Sequence, residues 1–228
     1  MARLPVRPQA AEAFRPGLEE GDARRGGRVE PGYRYAKVAR LPLGLNATTH
    51  AVFGVAALAG YSLLAGEAPP LYAYPAAVIS SWLPDVDNPR SRLGNGLSRM
   101  KNPTLNFLTR PVSWALRVAS FTLFRTVGHR TLTHSLLGVA LFAALISPVA
   151  ALSSELFVAL VAGYISHLVA DALNTKGVPL LWPAGWRFRL LPGGVRSGGV
   201  VEFLVALVVA VAAGYGLYAL HPTLAGVF

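Results

Sequence analysis

Residues 156–174 read LFVALVAGYISHLVADALN. Only His167 and Asp171 in this run can change charge near neutral pH, and everything between Leu156 and Ser166 is uncharged. A helix crossing a bilayer needs about 20 mostly apolar residues, and this run supplies them. His167 and Asp171 are four residues apart, so on a helix they share one face, and Tyr164 and Asn174 extend the same stripe. Ionisable side chains inside such a helix are expensive to place in lipid. They therefore mark a site until shown otherwise.

Working outward, the chain repeats this pattern. Leu41–Gly66 and Ala68–Pro84 carry no charged residue, Thr131–Ser154 carries none, and Val200–Phe228 has only Glu202 near its start. With Leu156–Asn174 these make five apolar segments. The second is short and holds Pro69, Pro70 and Pro75, which predicts a tilted or broken span. Over all 228 residues, 53% are apolar, only 14% are charged, and the mean hydropathy is +0.45. Soluble domains carry about 25% charged residues, so the deficit excludes an ordinary soluble enzyme and a disordered chain alike. No cysteine is present, which rules out disulfides, thiolate nucleophiles and Cys-ligated metal. The expectation is an all-α, polytopic membrane protein with about five transmembrane helices across residues 41–228. Residues 1–40 precede it as a polar tail with nine Lys/Arg, five Asp/Glu and four Pro. That tail has no apolar run of signal-peptide length.

Residues 103–124 differ from the five segments. Asn106, Arg110, Ser113, Arg117 and Ser120 recur at spacings of four and three, a polar stripe on an otherwise apolar helix. This predicts an amphipathic helix lying at the membrane interface, its arginines toward water. With 103–124 kept on one side, the segments 1–40, 85–131 and 176–199 hold 9, 8 and 4 Lys/Arg, which is all 21 in the protein. Positive residues collect on the cytoplasmic side of membrane proteins. The expected orientation is N-terminus inside and C-terminus outside. The asymmetry also accounts for the net charge of +10 without nucleic acid, for which no basic, aromatic-interleaved patch argues.

The orientation rests on Lys and Arg alone, yet it brings the other ionisable residues to one face. His50 begins the first segment, Asp85 and Asp87 end the second, His129 and His134 flank the start of the third, and His167 and Asp171 end the fourth. Taken singly, each has an ordinary reading: a helix-bridging imidazole, a solvated loop carboxylate, one more interfacial charge. Four histidines and three aspartates converging at one depth favour a metal site. Asp85-Val-Asp87 lies between Pro84 and Asn88-Pro89 and reads as an extended turn whose alternate carboxylates aim at one cation. Thr131 or Thr133 is the expected N-cap of the following helix. A His/Asp set without Cys suits zinc, manganese, iron or magnesium. Glu202 sits close to the same face, and His221 reads as a surface residue on the other side.

The strings Leu83-Pro-Asp85-Val-Asp87, His129-Arg-Thr-Leu-Thr-His134-Ser135 and Gly163-Tyr-Ile-Ser-His167-Leu-Val-Ala-Asp171-Ala-Leu-Asn174, together with Thr49-His50, resemble the YdjM-like family of membrane-bound metal-dependent hydrolases. Thr175-Lys176-Gly177 followed by Leu181-Trp182-Pro183 fits the same pattern, and the resemblance covers roughly residues 45–200. It implies metal-dependent hydrolysis in the cytoplasmic membrane. A weaker similarity, in the order of His and Asp, to zinc phospholipase C implies phosphoester cleavage.

On these grounds the expected metal ligands are His50, Asp85, Asp87, His129, His134, His167 and Asp171, with Arg130 and Asp85 as the catalytic pair. The expected cofactor is a divalent ion, zinc first and manganese or magnesium as alternatives. Seven residues exceed one tetrahedral zinc, so either two ions bind or some residues orient the ligands. Arg130, Arg196 or Lys176 is expected to hold a substrate phosphate. The expected partner is membrane lipid, as a lipid or lipid-linked phosphoester attacked by metal-activated water. An ion or small-molecule transporter and a non-catalytic membrane scaffold are the alternatives.

Overall fold

The computed structural model describes residues 45–87, 130–223 and six helical positions between them: Pro111, Trp114, Val118, Phe121, Thr122 and Arg125. The 1–40 tail, the polar stripe of 103–124 and His129 lie outside the described residues. Among the described residues, six α-helices have defined bounds: α1 (Leu45–Ala65), α2 (Ala73–Ser80), α3 (Leu136–Leu145), α4 (Ser147–Leu152), α5 (Ser154–Ala172) and α6 (Val200–Leu220). Short 3-10 helices at Leu83–Asp87 and Leu132–His134 carry polar residues between them. The all-α expectation holds among the described residues, where only two isolated backbone bridges, Asn174 with Val195 and Val178 with Phe188, interrupt it.

Among the described residues, three helices are long and apolar enough to cross a membrane: Ala47–Ala65, Ser154–Ala172 and Val200–Leu220, fewer than the expected five. The second segment keeps only eight helical residues in α2. At about 1.5 Å per residue it covers under half a bilayer core. The third segment breaks at Ile146, where Ser147-Pro148 starts α4 afresh, because proline cannot donate back to the preceding turn. Both broken segments still run between the two ends of the bundle. At one end Tyr74 Oη lies 3.3 Å from His221 Nε2 and Tyr72 Oη lies 3.4 Å from Ser153 Oγ. At the other, Trp82 Nε1 donates to the Ala47 carbonyl at 2.8 Å. His221, expected as a surface residue, is half-buried and packs edge-on against Tyr74.

The short α2 is wedged where small residues allow backbones to meet. Gly54 on α1 and Gly163 on α5 both abut the carbonyl of Ala77. A Cβ on Gly54 would come within 2.9 Å of that oxygen, and one on Gly163 would come closer still. Close approach of this kind is how helices associate where lipid removes any hydrophobic drive. Leu58, Ala59, Ala73, Tyr74, Ala77 and Ala159 fill the buried core beside the wedge. Ser80 Oγ ties α2 to the Leu160 carbonyl. The loop 173–199 folds back on the end of α5, with Leu190 N donating to Ala172 O at 2.8 Å and Val195 N to Leu173 O at 2.6 Å.

Candidate metal centre

Four elements bring their polar residues to one end of the bundle. His50 comes from the first turns of α1, Asp85 and Asp87 from the 3-10 helix after α2, His134 from the 3-10 helix before α3, and His167 and Asp171 from the last turns of α5. His134, His167 and Asp171 are fully buried, His50 and Asp87 nearly so, and the Asp85 side chain is 32% exposed. Neighbouring side chains hold the set in place. Tyr164 Oη donates to the Thr133 carbonyl at 2.7 Å, fixing the His134 turn against α5. Ser135, not Thr131 or Thr133, caps α3, accepting from Gly138 N at 3.1 Å.

The hydrogen bonds determine which imidazole nitrogens carry protons. His167 Nδ1 lies 2.7 Å from the Ser81 carbonyl, which can only accept, so Nδ1 bears the hydrogen. Thr133 Oγ1 donates its one hydrogen to Asp87 Oδ2 at 2.7 Å. Its lone pair then accepts from His134 Nδ1 at 3.0 Å. Both neutral rings therefore offer lone pairs at Nε2, and those two atoms face each other at 3.2 Å. Asp171 Oδ2 lies 3.5 Å from His134 Nε2 and 3.7 Å from His167 Nε2, and Asp85 Oδ1 lies 3.6 and 3.8 Å from the same two atoms. Asp171 Oδ2 is buried and accepts no hydrogen bond among the described residues, its nearest cation being Arg130 Nη2 at 2.8 Å.

Acceptors that point at one another repel unless a cation lies among them. Donors about 2.0–2.1 Å from a tetrahedral zinc sit about 3.3–3.4 Å apart, close to the spacings observed here. The residues fit a divalent metal held by His134, His167, Asp171 and Asp85. In the metal-free chain the same demand falls on a proton. Burial alone would lower the His134 pKa, but the carboxylates of Asp85 and Asp87 outweigh it and push it up to about 9. Burial likewise favours a neutral Asp85, yet the His134 hydrogen bond and nearby imidazoles hold its carboxyl well below the usual range.

The other expected ligands separate into roles. Two donor groups can be drawn, His50–His167–Asp171 and Asp85–His134–His167, and they share His167. His167 has one nitrogen left for a metal, so only one of the two groups could use it at a time. His50 stacks on His167 with ring centroids 4.0 Å apart, and its Nδ1 has no hydrogen-bond partner among the described residues. Asp87 faces the back of His134, 3.6 Å from Nδ1. The extended turn expected for Asp85 and Asp87 is a 3-10 helix. At three residues per turn, positions two apart diverge, which is why one carboxylate meets Nε2 and the other Nδ1.

Arg130 completes the centre. Its Nη2 straddles the Asp171 carboxylate, donating to Oδ1 at 2.9 Å and lying 2.8 Å from Oδ2, and its backbone N–H donates to Asp87 Oδ2 at 2.9 Å. Its φ of 56° is unusual for a residue with a side chain. Such conformations cost about 1–3 kcal/mol and collect at functional sites. Asn174 Nδ2 supports the same Asp171 oxygen at 2.9 Å. Beside the centre opens a small cleft lined by His50, Asp85, Arg130, Asn174, Val195 and Glu202, among others. Arg130 Nη1 is buried and unpartnered among the described residues. Lys176 and Arg196 are exposed and do not line the cleft. Glu202 accepts from Thr49 Oγ1 at 3.1 Å and from Gly198 N, tying α6 to α1 beside His50.

The family model described as YdjM inner membrane protein matches residues 45–227. The chain belongs to the YdjM inner membrane protein family. It is 38% identical over 120 residues to the inner membrane protein YdjM of Escherichia coli K12, and equally to that of Shigella flexneri, covering 51% of this chain and 52% of each relative. The match thus spans about half the length of these relatives. An uncharacterized protein of Bacillus subtilis, YvsG, is 30% identical over 176 residues, covering 77% of this chain and 96% of its own length. No solved structure matches. Membership of the YdjM family, with three long apolar helices, makes this a membrane protein.

Proposed function

We propose that this protein is a membrane-bound, metal-dependent hydrolase that cleaves a phosphoester of a lipid or lipid-linked substrate. The observation that carries the reading is the convergence of two imidazole lone pairs and a buried carboxylate oxygen beside a cleft holding an unpartnered guanidinium nitrogen. A divalent metal bound there would activate water and polarise the substrate oxygen. The chain's own residues do the rest. Arg130 binds a phosphoryl oxygen through Nη1 while Nη2 stays on Asp171. His50 Nδ1 orients a second substrate oxygen, and the partly exposed Asp85 orients water at the mouth of the cleft. The Lys/Arg distribution favours a cytoplasmic site with the N-terminus inside and the C-terminus outside.

Elemental analysis of the purified full-length protein, joined to a screen of phosphomonoesters, phosphodiesters and pyrophosphates, tests this reading. One zinc-class ion per chain and chelator-sensitive turnover are expected. Arg130→Lys should keep the metal and lower turnover, since a lysine lacks the guanidinium fork. A fully metallated protein inert toward every phosphoester would refute the substrate class. Protein that takes up no divalent ion would refute the hydrolase reading itself.

A further inference from the structure

The loop 173–199 connects two helices of membrane-spanning length, α5 and α6. It therefore starts and ends at a membrane boundary. Its surface is unlike that of a loop facing water. Trp186 is 76% exposed, and Leu181, Phe188, Leu190 and Leu191 are all exposed beside it. Arg187 and Arg189 are exposed between these apolar side chains. The whole loop holds Lys176, Arg187, Arg189 and Arg196 and no Asp or Glu.

We infer that residues 181–191 form an interfacial platform that inserts its aromatic and leucine side chains at the headgroup level of the bilayer and binds anionic lipid phosphates through Arg187 and Arg189. Two independent features select a lipid surface as the occupant. The platform continues directly from two spanning helices, so the bilayer is the apolar phase within its reach. Its charge is wholly positive, matching anionic headgroups, and Trp beside Arg is the composition that settles at membrane interfaces. In water such a patch is an aggregation hazard. The backbone shows what this seating does for the site. Leu190 and Val195 donate to the carbonyls of Ala172 and Leu173, and Val195 lines the cleft. The platform thus leads directly into Val195 in the cleft wall, so its seating would set the mouth of the cleft at headgroup depth. None of this depends on the bound metal or on catalysis.

The chain has no cysteine, so Trp186→Cys accepts a single environment-sensitive fluorophore. The labelled full-length protein is reconstituted in vesicles of phosphatidylcholine with 30% phosphatidylglycerol, after gel filtration and circular dichroism show it intact. Nitroxides near the headgroup should quench the probe more than nitroxides deep in the acyl chains, and aqueous iodide should quench it weakly. Spin-labelled phosphatidylglycerol should quench more than spin-labelled phosphatidylcholine at equal mole fraction. The preference should be on the order of fivefold per cation and should vanish in Arg187→Gln/Arg189→Gln. A second probe at Ala184→Cys repeats the measurement should the first variant fold poorly. Free access of iodide with no lipid quenching at either position would overturn the inference and assign the surface to a protein partner or a second copy. Equal quenching by both lipids, unchanged by the double substitution, would overturn its anionic-lipid part.

Discussion

Replacing Asp87 by alanine should weaken metal binding without removing any ligand. Asp87 Oδ2 accepts the Thr133 hydroxyl proton at 2.7 Å and the Arg130 N–H at 2.9 Å. Without that carboxylate, the Thr133 hydroxyl is left beside His134 Nδ1 at 3.0 Å and donates to it. The imidazole proton then moves to Nε2, the atom facing His167 and Asp171, where it blocks coordination. Restoring the correct tautomer opposes binding, and losses of such outer partners run at about 10–100-fold in metal affinity. Tenfold corresponds to about 1.4 kcal/mol, the size of one neutral hydrogen bond in a buried site. Zinc affinity is measured by competition with a fluorescent chelator on detergent-purified protein. Both measurements are made above pH 9, where His134 of the metal-free chain has lost its extra proton and nitrogen NMR of labelled histidine reports the tautomer. Thr133→Val in the same background should recover part of the loss, since valine cannot donate. Affinity within twofold of wild type would refute the tautomer argument. A loss as deep as that of His134→Ala would make Asp87 a direct ligand.

His134→Ala, His167→Ala and Asp171→Ala should each reduce zinc affinity by more than about 100-fold, beyond the range of outer partners, with helical content unchanged by circular dichroism. His221→Ala, at the opposite end of the bundle, should leave zinc affinity alone in the same assay. Zinc affinity should climb with pH up to about 9, because His134 is held protonated below that value by Asp85 and Asp87 and must release its proton to bind. Calorimetry in buffers of different ionisation enthalpy should count about one proton released at neutral pH. Gly163→Ala would press a methyl into the Ala77 carbonyl and displace α2, so thermal stability should fall by the 1–3 kcal/mol typical of overpacking. Zinc affinity should fall with it, because Ser81 and Asp85 ride on that segment.

The sequence carried the chemistry of the centre further than it carried the architecture. His167 and Asp171 were legible because helical spacing places them on one face whatever surrounds them. His50, Asp85 and His134 were legible because the Lys/Arg distribution aligned the ends of their segments. Hydropathy alone could not tell a spanning helix from a broken one. The eight residues of α2 are as apolar as a true span, but its length is set by the flanking prolines and by packing against Gly54 and Gly163. The protonation pattern was hidden for another reason. It depends on the Ser81 carbonyl, a backbone atom with no signature in residue type, and on Thr133, which reads locally as a helix cap. The division of labour between Asp85 and Asp87 turned on a 3-10 helix in place of an extended turn.

The wedge at Ala77 has a consequence for how the centre meets a changing bilayer. Long helices answer a thicker or thinner hydrocarbon layer by tilting. A helix of eight residues, gripped from both sides by glycine-lined backbones, is too short to be matched to any thickness and is set by protein contacts alone. Asp85 and the Ser81 carbonyl hang from that helix, while His167 and Asp171 sit on the helix that grips it. The Asp85 side and the His167–Asp171 side of the candidate centre are thereby referenced to a common fixed point inside the protein, which predicts that the distances between these side chains are insensitive to hydrophobic mismatch.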